Sequence, residues 1–347
     1  MSNYLIYGQG LAGVVAIKVL QKSAVAIKGL IDPTNTLREY PLCHKFPVFT
    51  KLGKIPAQCL NETDAILVGI DTEPLASKTR KKLKNKFPGK KVVTLLERQY
   101  LPAFLAFREE TLKELVADQP KVVPVNYGAR DVLLYVDSKK EHWRASNTLE
   151  AKVLDFLQKL ITRPAVFYDI GANIGLYSLI IARMDPAIQV HAFEPEPYNY
   201  QKLVRNIQLN RLPNITPHLG AVGAKKQLGQ LYLSGQGVGQ GRHSLLKPAA
   251  KTYTPTVVWD LDSFIAEKKA PPPDFIKIDV EGYEIEVVKG MGKLMKTKKP
   301  TLIIEVHHQL IRKEELYKLL KKRHYTVELI EQQKKRDFIC ARPAARA

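Results

Sequence analysis

Twice in this 347-residue chain an apolar run ends at a glycine-rich turn that opens a helix: LIYGQGLAG (5–13) and FYDIGANIG (167–175). Few folds admit such a turn. Its glycines let the backbone pass close to itself or to a ligand and let the helix settle onto the strand, which is how a βαβ unit begins. In both places an acidic residue follows at the tip of the next apolar run, nineteen residues past the last glycine: Asp32 after Gly13 and Glu194 after Gly175. Around each device short apolar runs alternate with amphipathic stretches: YLIY, AVAIKGLID, DAILVGI and KVVTLL early on, then AVFYD, QVHAFE, FIKID and TLIIEVH. That alternation predicts parallel sheets covered by helices, hence two α/β domains in tandem. The expected division is a Rossmann-like α/β domain over 1–100, connector and entry elements over 101–164 with helices near 103–117 and 148–161, and a larger α/β domain over 165–347. YTVELI and DFICAR are expected to close the chain as an antiparallel pair.

Length and composition agree with two ordinary cores, since single cores seldom grow past about 250–300 residues. With 45% hydrophobic and 25% charged residues the chain reads as globular, neither disordered nor fibrous. Its three cysteines form no CxxC pair and their number is odd, which argues against a disulfide framework and for a reducing, cytoplasmic setting. The N-terminus lacks a basic and apolar leader, and no run approaches the ~18–20 apolar residues of a membrane span. The net charge of +20 is spread along the chain, +7 in residues 1–120 and +13 in the rest. It favours anionic partners, a phosphate-linked acceptor or a membrane surface among them, without choosing one. Basic runs such as RKKLKNK (80–86) and KTKK (296–299) read as solvated faces. Nothing in the pattern specifies an oligomeric state.

The second glycine device carries the stronger chemical signal. Glu194 at the tip of its second strand is placed to accept hydrogen bonds from both ribose hydroxyls of a nucleoside. Asp169 puts a negative charge beside the turn, where it would repel a pyrophosphate and attract the ammonium of a methionyl group. Spacing and charge together favour S-adenosylmethionine over a dinucleotide. Asp279 and Glu281 close the fourth strand, and His307 and His308 the fifth, at the edge where ligands of open α/β sheets bind. The carboxylates could serve as base and orienter for a hydroxyl proton, or hold a divalent metal with Glu305 or His307. No H-x-H or D-x-D cluster appears, so the metal stays open. Asp279 would equally serve as N-cap of the helix EGYEIEV, and the histidines as a solvated strand end.

These pieces, DIGANIG, AFEPEP, NIQLNRLPNI (206–215), AVG (221–223), GRHSLL, IKIDVEGYEIEVVKG (276–290) and LIIEVHHQ (302–309), resemble the FkbM family of class I methyltransferases in order and spacing, over about residues 122–347. The resemblance implies a seven-stranded Rossmann-like sheet with its last strand antiparallel. It also implies S-adenosylmethionine as cofactor and methylation of a hydroxyl on a sugar, glycan or secondary metabolite. Carried over by position, Asp169, Gly171, Asn173 and Gly175 would line the methionine end, Glu194 would hold the ribose, Pro195 would shape the turn, and Ala221 would lie by the adenine. From their place at the strand ends, Asp279, Glu281 and His307 are expected to be the catalytic set, with Asp279 or His307 as base. Where the family commonly carries two small hydroxylic residues before a leucine, this chain reads Arg242-His243-Ser244-Leu245.

Gly8, Gly10, Gly13 and Asp32 form the full dinucleotide fingerprint between a strand and a helix. They stand as a second nucleotide site, for a nucleotide sugar or NAD, or as a purely structural turn. Using that site, the alternative function is an NAD-dependent sugar-nucleotide oxidoreductase, though no Tyr-x-x-x-Lys or other hydride-transfer partner follows. A nucleic-acid substrate is not expected. The chain lacks the Asn/Asp-Pro-Pro-aromatic tetrapeptide that positions a flipped base, and it has no aromatic-and-basic stacking strip.

Overall fold

The computed structural model describes residues 2–8, 10–23, 25–33, 37, 41–114, 122–127, 130–137, 151–233, 244–245 and 252–344. The chain divides into two compact units, residues 1–115 with 251–255, and residues 116–250 with 256–347. The strands in chain order are β1 Ser2–Gly8, β2 Val25–Ile31, β3 Val48–Phe49, β4 Ala65–Gly69, β5 Lys91–Thr94, β6 Val122–Tyr127, β7 Arg130–Tyr135, β8 Val166–Ile170, β9 Gln189–Glu194, β10 Ile215–Leu219, β11 Ala221–Val222, β12 Gln227–Tyr232, β13 Tyr253–Trp259, β14 Phe275–Ile278, β15 Thr301–His307, β16 Tyr325–Gln332 and β17 Arg336–Pro343. No helix among the described residues is long and apolar enough to cross a membrane.

In the first unit β3-β2-β1-β4-β5 form an all-parallel sheet. Its interior strand β4, AILVG, is buried at every position, as a strand covered on both faces must be. Leu5, Ile31, Ile66 and Val68 meet in one core cluster with Leu83 of the helix Leu75–Lys86. Helix Leu101–Glu114 contributes Arg108, 1% exposed, whose two guanidinium nitrogens donate to Thr254 Oγ1 at 3.1 Å and to the Pro255 carbonyl at 2.9 Å.

The second unit is built on the sheet β10-β9-β8-β14-β15-β17-β16. Five strands are parallel, and β17 runs antiparallel to both β15 and β16. This is the α/β, seven-stranded architecture of class I methyltransferases. The closing pair of strands does form, but β17 enters between β15 and β16 instead of extending the edge. The central strands are mostly apolar, and Tyr168, Ile170, Ile276, Ile278, Leu302, Ile304 and Ile339 share one core with Val287, Leu316 and Leu320 of the covering helices. Helix starts follow local chemistry. Glu196 caps Pro197–Asn210 by accepting the Asn199 amide, with proline at the first position, and Asp260 caps Leu261–Lys268 by accepting the Ser263 amide.

Smaller sheets, β11-β13-β12 and the hairpin β6-β7, complete this unit. The NIQLN motif explains how the hairpin is held. Asn210 exchanges two hydrogen bonds with the backbone of Leu133 at 2.8 and 2.7 Å. Asn206, fully buried, accepts the Tyr135 amide and donates to the Ile174 carbonyl in the glycine turn. The expected connector helices are Leu101–Glu114 and Ala151–Leu160; residues 115–121 and 148–150 lie outside the described residues. Of the Gly-rich stretch 235–246 only Ser244 and Leu245 are described, so Arg242 and His243 lie outside.

Candidate active site

The turn after β8 is fixed by backbone constraints that only its residues meet. Gly171, Asn173 and Gly175 all have positive φ, 81°, 54° and 97°. A Cβ on Gly171 would stand 1.8 Å from the Asp279 carbonyl oxygen, so the glycine is what lets β8 and β14 close together at their ends. The Gly171 and Ala172 amides both donate to the Phe193 carbonyl, which ties the turn to β9. Glu194, 5% exposed, accepts the Asn173 amide on one oxygen at 2.8 Å and the Glu196 amide, just past Pro195, on the other at 2.9 Å. The Asn199 side chain bonds the carboxylate as well, which leaves one acceptor position for a ribose hydroxyl. Burial pushes the Glu194 carboxyl up to about 8, against the pull of those amides. The Gly220 amide donates to the Glu194 carbonyl, so Ala221, 6% exposed at the start of β11, follows directly from that edge.

Asp169 is fully buried, and its charge faces inward. One oxygen accepts the Ser178 hydroxyl at 2.7 Å and the other lies 3.2 Å from Lys277 Nζ. The attraction for a methionyl ammonium, read from sequence, is therefore shared with a lysine already in place. Lys277 comes from the middle of β14, sits 3.7 Å from Asp279 Oδ2, and lies 4.7 Å from the centre of the Tyr177 ring. The sequence reading passed over it, although a single cation inside the apolar run FIKI was the available signal.

The ends of β14 and β15 bring Asp279, Glu281, Glu305 and His307 together, with Glu284 and Arg336 beside them. His307 Nδ1 lies 2.6 Å from Glu284 Oε1, while Nε2 faces Glu305 at 3.2 Å, Glu281 at 3.5 Å and Asp279 at 3.9 Å. Burial alone would strip the ring of its proton. Hydrogen bonds to Glu284 and Glu305, with the charges of Asp279 and Glu305, outweigh it and raise the imidazole to about 11. Arg336 Nη1 pairs with Glu305 Oε1 at 2.5 Å, across the β15–β17 register. Asp279 and Glu281 keep 28% and 23% of their side chains exposed, whereas Glu284 and Glu305 are buried. Asp279 does not cap the next helix, which starts at Glu284 behind Tyr283. Glu281 is held in the left-handed region at φ 48°, and its carbonyl accepts the Ser244 hydroxyl at 2.9 Å. His308 turns instead toward Asp337, 3.0 Å away.

In the first unit Gly8 and Gly13 do what such a turn requires: a Cβ on Gly8 would lie 2.6 Å from the Gly13 Cα, and Gly10 opens the helix Gly10–Gln21. Asp32, however, is fully buried and accepts the Leu37 amide at 2.7 Å. Leu37, also fully buried, lies against Gly13, where a Cβ would meet its side chain at 2.8 Å. The acid of this fingerprint is engaged in holding its own loop.

Comparison with known proteins singles out the second unit. Residues 169–338 match the methyltransferase FkbM domain, from the acid of the glycine turn into β17. The hexuronic acid methyltransferase AglP of Haloferax volcanii is 27% identical over 234 residues, 67% of this chain and 92% of that protein. The 31-O-demethyl-FK506 methyltransferase FkbM of Streptomyces tacrolimicus is 28% identical over 169 residues, covering 41% of this chain and 65% of the relative. A crystal structure of methyltransferase FkbM from Methylobacillus flagellatus KT aligns with 98% of the chain and 90% of its own at 16% identity and a TM-score of 0.40, too distant to add to the topology above. None of these matches supports the oxidoreductase alternative. Residues 169–338 thus match the methyltransferase FkbM domain, and the chain is a SAM-dependent methyltransferase.

Proposed function

We propose that the chain transfers a methyl group from S-adenosylmethionine to a hydroxyl of a sugar or glycan. The observation that carries this reading is the cluster of carboxylates around His307, set against the glycine turn at the shared edge of β8, β14 and β15. The donor set fits the cofactor. Glu194 retains an acceptor position for a ribose hydroxyl, and the cluster carries more negative than positive charge, which suits a sulfonium.

When bound, S-adenosylmethionine supplies an electrophilic methyl group on that sulfonium. Asn173 and the glycines 171 and 175 would shape the methionine end, Glu194 with Pro195 the ribose, and Ala221 the adenine. The residues at the β14 edge take the proton. Asp279 and Glu281 are the carboxylates open to an incoming hydroxyl, and either accepts its proton as the oxygen attacks. His307, held through Nδ1 by Glu284, orients them. Lys277 fixes Asp279 from the opposite side.

The acceptor class draws on the name of the Haloferax relative, which acts on a hexuronic acid, and on the net charge of +20, which suits an anionic sugar, carboxylated or phosphate-linked. Calorimetric titration of S-adenosylmethionine and of NAD into wild type and Glu194→Ala tests the cofactor. A hydrogen bond contributes about 0.5–1.5 kcal/mol net, so the variant should bind S-adenosylmethionine about two- to tenfold more weakly. NAD binding that survives the variant, with no S-adenosylmethionine binding at all, would place the function in the other unit.

A further inference from the structure

We propose that Asp279, Glu305 and His307 bind one divalent first-row transition ion. One donor atom from each lies within 4.8 Å of the other two. The measured separations, 3.2 Å from His307 Nε2 to Glu305 and 3.9 Å to Asp279, approach the spacing of adjacent ligands around an ion with bonds of about 2.1 Å, roughly 3 Å.

Three features set this group apart from an ordinary acidic patch. Glu305 is 2% exposed and Glu284 fully buried, and each leaves its Oε2 atom without a hydrogen-bond partner. A buried carboxylate oxygen with nothing to bond calls for a ligand. The ring is also oriented for coordination: Glu284 holds Nδ1, so an ion that displaces the Nε2 proton meets that nitrogen facing Asp279 and Glu305. Charge gives the third argument. Asp169, Asp279, Glu281, Glu284 and Glu305 face Lys277 and Arg336, which leaves three negative charges to balance with the ring neutral. A divalent ion and the sulfonium of S-adenosylmethionine would balance them.

One imidazole with two carboxylates suits Mn2+ or a neighbouring transition ion better than Ca2+ or Mg2+, which take all-oxygen shells. Arg336 would remain on Glu305 as an outer clamp. The role of the ion rests on the proposed function. Bound there, it would take the acceptor hydroxyl into an open position and lower its pKa. The O–H bond breaks with its proton passing to Glu281, the O–CH3 bond forms, and the S–CH3 bond breaks to release S-adenosylhomocysteine.

The test is Mn2+ titration into chelator-treated full-length protein, followed by loss of the free-ion EPR signal, with S-adenosylmethionine affinity measured on the same samples. Wild type should bind about one ion per chain. Glu305→Gln and His307→Gln should each lose that binding, and Glu284→Gln should weaken it about tenfold through the ring. Retention of S-adenosylmethionine binding shows that the variants are folded. A wild type that binds no Mn2+ up to about 1 mM, or variants that bind it as wild type does, would overturn the site. Mn2+ binding that behaves as expected while S-adenosylmethionine fails to bind would strike the proposed function and leave the ion site standing.

Discussion

Gly171→Ala is the sharpest single test of how this site is built. The added methyl group would sit 1.8 Å from the Asp279 carbonyl oxygen, where real Cβ contacts stay beyond about 3 Å, so the end of β14 would have to move by more than an ångström. The residue would also keep its φ of 81°, a left-handed conformation that costs an L-residue about 1–2 kcal/mol. Forcing an extra carbon into a closed site adds about 1–3 kcal/mol, giving about 2–5 kcal/mol together. At about 2–4 °C per kcal/mol for a unit of this size, the melting transition that S-adenosylmethionine shifts upward should fall by about 4–20 °C. Because the atom displaced belongs to Asp279, turnover at temperatures where the variant is folded should drop by about 100-fold, the usual cost of an ångström of misplacement. Gly89→Ala, with nothing within 4 Å of its new carbon, is the control and should stay within about 0.5 kcal/mol of wild type. A Gly171→Ala protein melting within about 1 °C of wild type with unchanged turnover would refute the reasoning.

Other outcomes follow from the same geometry. Lys277→Met removes the cation beside the fully buried Asp169 and should cost about 3–5 kcal/mol in urea denaturation, with part of the loss recovered by adding Asp169→Asn. Asn206→Ala leaves the Tyr135 amide and the Ile174 carbonyl without their partner, at about 1–3 kcal/mol for each group that stays buried, read in the same assay. The pH dependence of stability should carry the mark of Glu194. Its carboxyl lies near 8 in the folded chain and near 4.5 when unfolded, so the native state holds the extra proton between those values. Stability from this group is complete below about pH 4.5 and lost as pH rises through 8, and a melting series from pH 5 to 9 should fall more steeply in wild type than in Glu194→Gln.

What the sequence made legible were features written within a few residues. The glycine turn, Glu194 at the tip of β9 and the carboxylates Asp279 and Glu281 at the end of β14 are each a local pattern, and the fold places them at one edge. The roles of Glu284, Glu305 and Arg336 depend on which strands lie side by side. Arg336 reaches Glu305 only because β17 pairs with β15, a neighbour that no spacing along the chain announces. Lys277 was readable in principle as a charge in the middle of an apolar strand, but its partner Asp169 lies over a hundred residues earlier. The two fingerprints show the opposite limit. Gly8-x-Gly10-x-x-Gly13 with Asp32 matches its pattern as well as the second device does, and Asp32 also accepts the Leu37 amide, a contact that the spacing alone cannot reveal.

The place of β17 inside the sheet has a consequence for how the chain is made. On the ribosome β16 emerges before β17, yet β17 is its one neighbour in the sheet. Until residues 336–343 leave the exit tunnel, β15 presents an unpaired edge and Glu305 lacks its arginine. The nascent methyltransferase unit must therefore wait, with an exposed strand flank, for an element that is synthesised later than the edge it completes. Chaperones that shield such flanks would have their window during that interval.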